Sequence, residues 1–168
     1  MNWREYREQL RKNIDGLSSN QKLKFAIDIC EKLFPDYQTF QQEHKWGNLN
    51  TLADGLTLCK QNADGLRTNV NIVEKQIAKI VKNTPDTEDF GQVSGSLALN
   101  SAAAISAALS FILDNKTERI SDIGSLSYDS AYFKACENYP KLSESEIENH
   151  KDLQNEIEWQ LEKIKYVA

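Results

Sequence analysis

Apolar residues recur at spacings of three and four along nearly the whole chain, the period of helices buried on one face. Trp3, Tyr6, Leu10 and Ile14 line a first helix, which Gly16 stops. Ser18 followed by Gln21 forms a reciprocal cap for a second helix. Leu23, Ala26, Ile27, Cys30 and Leu33 are its buried stripe, widened by Phe25, Ile29 and Phe34. Pro35 is expected to end it, because proline lacks the N–H of a helix interior. A short helix with Tyr37 and Phe40 as anchors would then run to a turn at Trp46–Gly47. Leu49, Leu52, Leu56 and Cys59 mark the next helix, capped by Asn48 or Asn50 and broken at Asp64–Gly65. Asn71 with Glu74 is expected to cap a helix whose stripe is Val73, Ile77, Ile80 and Val81.

The stretch "PDTEDFG" at 85–91 precedes the most distinctive segment. No charged residue occurs between Phe90 and Leu113. Ala98, Ala102, Ile105, Leu109 and Ile112 form one line there, and Leu97, Ala104, Ala108 and Phe111 another. A helix apolar on most sides belongs in the middle of a domain. Its length suits a membrane span, but its serines, Gln92 and Asn100 fit a buried helix better. A further helix carries Ile120, Ile123, Ser127, Ala131 and Ala135, with Gly124 weakening its centre. After Pro140 comes a last helix, capped by Ser143 with Glu146, on which Ile147, His150, Leu153, Ile157, Leu161 and Ile164 share a face. Glu156, Glu158 and Glu162 are placed on its exposed side. No run alternates as a strand does. The expected fold is all-α, a single domain over 1–168, an irregular bundle of seven or eight helices around a central alanine-rich helix.

Composition adds exclusions. A net charge of -5 lacks the basic footprint of a general nucleic-acid binder. The three cysteines, Cys30, Cys59 and Cys136, make no CxxC pair and sit in apolar surroundings, which points to a reduced, cytoplasmic protein. The N-terminal residues are charged and carry no signal-peptide core.

Three stretches bear a resemblance. "KLKFAIDICEKLFPDYQTF" at 22–40, "PDTEDFGQVSGSLALNSAAAISAAL" at 85–109 and "EIEWQLEKI" at 156–164 are similar to a set of small bacterial helical proteins, domain-of-unknown-function family 416. Cys30, Glu31, Pro35 and Tyr37 carry its CE-x-x-x-P-x-Y pattern. The resemblance covers about residues 20 to 165 and implies an all-helical cytoplasmic protein. It brings no reaction, cofactor or catalytic residue.

The residues themselves offer weak sites. Only His44 and His150 are present, without HExxH or HxH spacing, so no metal site and no cofactor is expected. Glu43 and His44 are adjacent and point about 100° apart on a helix, a poor acid–base pair. Trp46, Phe90, Tyr128 and Tyr132 would line a pocket or simply join helices. Asp86, Glu88 and Asp89 would act as an acid site if Asp122 or Asp129 stood opposite them. Capping is the simpler account: Asp86 closes its own turn after Pro85, and Asp89, or failing it Ser94, caps the central helix. No nucleophile elbow, P-loop or dinucleotide fingerprint occurs. The reading favours a non-enzymatic protein acting through protein contacts: a homo-oligomer, a regulator, or an inhibitor of a basic protein. The alternatives are a metal-dependent hydrolase or ligand-binding module using 85–91, and a weak nucleic-acid binder using Arg67 to Lys82.

Overall fold

The structure is a computed structural model that describes residues 1–168. Eight helices follow in order: α1 Trp3–Asp15, α2 Ser19–His44, α3 Leu49–Ala63, α4 Val70–Lys82, α5 Val93–Asp114, α6 Thr117–Asn138, α7 Glu144–Glu148 and α8 Lys151–Val167. There is no strand. The long α2 and the alanine-rich α5 lie side by side at the centre, with α6 against both. The α3–α4 pair covers one side of α5, while α1 and α8 cover α6. Ala98, Ala102, Ala104, Ile105, Ala108 and Leu109 of α5 are all fully buried. By length and composition α5 meets the criteria for a membrane span, yet here it is enclosed by α2, α3, α4 and α6. Small side chains let those four helices approach it closely, while Ile105, Leu109 and Phe111 supply the buried area.

The capping chemistry shows where local signals suffice. Ser18–Gln21 and Ser143–Glu146 both close reciprocally, and Asn48 accepts from Asn50 N and Thr51 N. Other expectations are corrected. Pro35 does not end α2, which continues without a break to His44. Leu33, Tyr37 and Phe40 are fully or almost fully buried on either side of the proline. Burial of this apolar face outweighs the single backbone hydrogen bond that proline removes. Tyr37 also ties the extension down, because its hydroxyl donates to Asn83 O at 2.5 Å and accepts from Asn48 N at 3.2 Å. Asn71 is not the cap of α4. The cap is Asn69, whose side chain accepts from Asn71 N at 2.8 Å. Val81 leaves the α4 stripe for solvent, and Gln76 takes a buried place, donating to Thr51 O. The last helix is two. His150 caps α8 by accepting from Asp152 N, and its ring lies 4.1 Å from that of Tyr139.

Candidate functional site

The acidic stretch forms a turn. Phe90 N donates to Asp86 O at 2.9 Å, and Glu88 N donates to the Asp86 carboxylate at 2.9 Å. Asp86 therefore closes its own turn, as its position after Pro85 indicates. Asp89 does not cap the central helix, and neither does Ser94. Three residues separate Asp89 from Val93, the first residue of α5, and Gln92 occupies the cap position without a side-chain hydrogen bond. Ser94 lies inside the first turn, where its hydroxyl shares a 3.0 Å hydrogen bond with His44 Nε2. The turn is anchored by Phe90, whose ring meets Phe40 at 5.0 Å, Trp46 at 5.2 Å and His44 at 5.3 Å. His44 thus belongs to an aromatic joint between α2 and α5, and Glu43 lies 4.0 Å from it at the edge.

The partners an acid site would require are elsewhere. Asp122 lines a surface groove of about 370 Å³ between α1 and α6, with Arg7 and Arg11. Asp129 is half-buried near Arg7, and burial raises its carboxyl above the ordinary aspartate value despite that cation. Trp46 and Phe90 join α2 to the 85–91 turn, whereas Tyr128 stacks on Tyr6 and Trp3 against α1. No three His, Cys, Asp or Glu side chains converge as metal ligands would. Cys30 and Cys59 are fully buried and free. Burial pushes both thiols up, Cys59 to about 12, so they remain neutral packing groups near pH 7.

Two features stand out instead. The first is a surface. Seven large apolar side chains are well exposed on the whole chain, and four fall between residues 66 and 81: Leu66 at 64%, Val70 at 57%, Ile72 at 52% and Val81 at 60%. Val70 and Val81 are about three turns apart on one flank of α4. Arg67, Lys75, Lys79 and Lys82 are exposed around them, and none makes an ion pair.

The second is a buried polar network that corrects the expectation for α8. Glu156 is not exposed; only 5% of it is accessible. One carboxylate oxygen accepts from Ser127 Oγ at 2.5 Å and from Gln160 Nε2 at 2.8 Å. The other pairs with the Lys32 ammonium, which lies 3.9 Å from the centre of the Trp159 ring. Gln160 Nε2 also donates to Gly124 O, and Tyr6 donates to Gln160 Oε1 at 2.7 Å. Gly124 permits this approach, since a Cβ there would stand 2.9 Å from Gln160 Oε1 and 2.7 Å from Leu10 Cδ2. Burial, and secondarily the Glu156 charge, raises the Tyr6 hydroxyl well above its ordinary value. One signal pointed to this network: Glu156 and Gln160 adjoin Ile157 and Leu161 in the apolar phase of α8. Above Glu156 opens a cleft of about 460 Å³ between α2, α6 and α8.

Residues 9–168 match the family described as "Protein of unknown function (DUF416)". A protein of Haemophilus influenzae, described as uncharacterized, is 24% identical over 163 residues, covering 94% of this chain and 83% of that one. The crystal structure of a DUF416 family protein from Shewanella baltica superposes with a TM-score of 0.79 at 25% identity, again over 94% and 83% of the two chains.

Proposed function

The chain belongs to the DUF416 family of proteins of unknown function, and from that premise we propose that it is a non-enzymatic protein whose work is to bind another protein through the outer face of α4. The carrying observation is the exposure of Val70 and Val81 on one flank of α4, with Leu66 exposed just before the helix; Ile72 is exposed on the opposite flank. Single exposed apolar residues are ordinary; a cluster rimmed by polar groups marks an interaction surface. The rim selects the partner. Arg67, Lys75, Lys79 and Lys82 outnumber Asp64 and Glu74, the acids between residues 64 and 82, so this stretch is locally positive on a chain of net charge -5. A second copy meeting this face symmetrically would set four cations against four. An acidic protein surface with its own apolar anchors is the complementary partner. The exposed valines and leucine also favour a protein over a nucleic-acid backbone, which needs the charges alone.

The test compares the wild-type protein with the Val70→Glu, Val81→Glu double variant. Both residues are exposed, so the variant is expected to melt as the wild type does. Partners retained by the wild type from native lysate should be lost by the variant and weakened by salt. Equal retention by both proteins overturns the assignment. A wild type that remains monomeric and retains nothing overturns the contact function itself.

A further inference from the structure

We draw no further inference here: the strongest candidate, the surface groove of about 370 Å³ between α1 and α6, carries nothing, because Arg7 and Arg11 share its walls with Asp15, Glu118 and Asp122 and these mixed charges select no class of ligand.

Discussion

Asp129 shows how one side chain reads out its surroundings. Burial disfavours its charged form, and the Arg7 charge only partly offsets that effect, so its folded-state value lies above the ordinary 3.8. A carboxyl raised in this way contributes stability below its unfolded value, and that contribution is lost as pH rises through the folded value. The ionised carboxylate therefore costs stability at neutral pH. Asp129→Asn should melt a little higher than the wild type at pH 7, and the gap should close on acidification below the ordinary aspartate range. Thermal melts across that window check it; a variant less stable at pH 7 would mean that attraction to Arg7 outweighs burial. Glu146 has the opposite sign. Hydrogen bonds from the Ser143 backbone and hydroxyl hold its carboxyl below the ordinary range, so that cap weakens as pH falls through the folded value. The Ser143 cap was legible from four residues of sequence. The Asp129 environment was not, because Arg7 and the burying residues lie on other helices.

At the scale of the element, the start of α5 depends on the glycine that follows "PDTEDFG" rather than on an acidic cap. A Cβ at Gly95 would lie 2.2 Å from the Phe90 carbonyl oxygen and 2.9 Å from Phe90 Cβ. Backbone at such a distance has nowhere to yield, so the Phe90 ring would leave its place among Phe40, His44 and Trp46. Gly95→Ala should destabilise the protein by about 1–3 kcal/mol, although alanine is the better helix former. Urea unfolding monitored by tryptophan fluorescence measures it, with Trp46 reporting on the joint directly. An unchanged midpoint would show that the turn shifts freely. The same contest between local and distant terms governs α2. Proline predicts a helix end from local chemistry, and the burial of Tyr37 and Phe40 carries the helix past it.

Across the whole molecule, Glu156 joins helices that no local pattern connects. Its hydrogen bonds reach Lys32 on α2, Ser127 on α6 and Gln160 on α8, and through Gln160 they reach Tyr6 on α1. Glu156→Ala would leave a buried hydroxyl and a buried amide short of a partner, while Lys32 turns to water. The expected loss is about 3 kcal/mol, measurable as a lower urea midpoint with an unchanged slope. Loss of less than about 0.5 kcal/mol would place the network among exposed surface contacts. Sequence alone places Glu156 on the solvent side of α8, since carboxylates are rarely buried without partners. Gln160 lies one turn away on the same helix, but Lys32 and Ser127 come from two other helices and are distant in sequence.

Periodicity and capping residues a few positions apart are enough to read the helical class, the central position of the alanine-rich segment and most helix boundaries. Packing between distant helices sets the rest: that α2 passes through Pro35, that Asp86, Glu88 and Asp89 stand apart from Asp122 and Asp129, and that Glu156 is buried. Each of these depends on side chains brought together from distant helices, where apolar burial and the pairing of buried polar groups outweigh the local preference of any one residue.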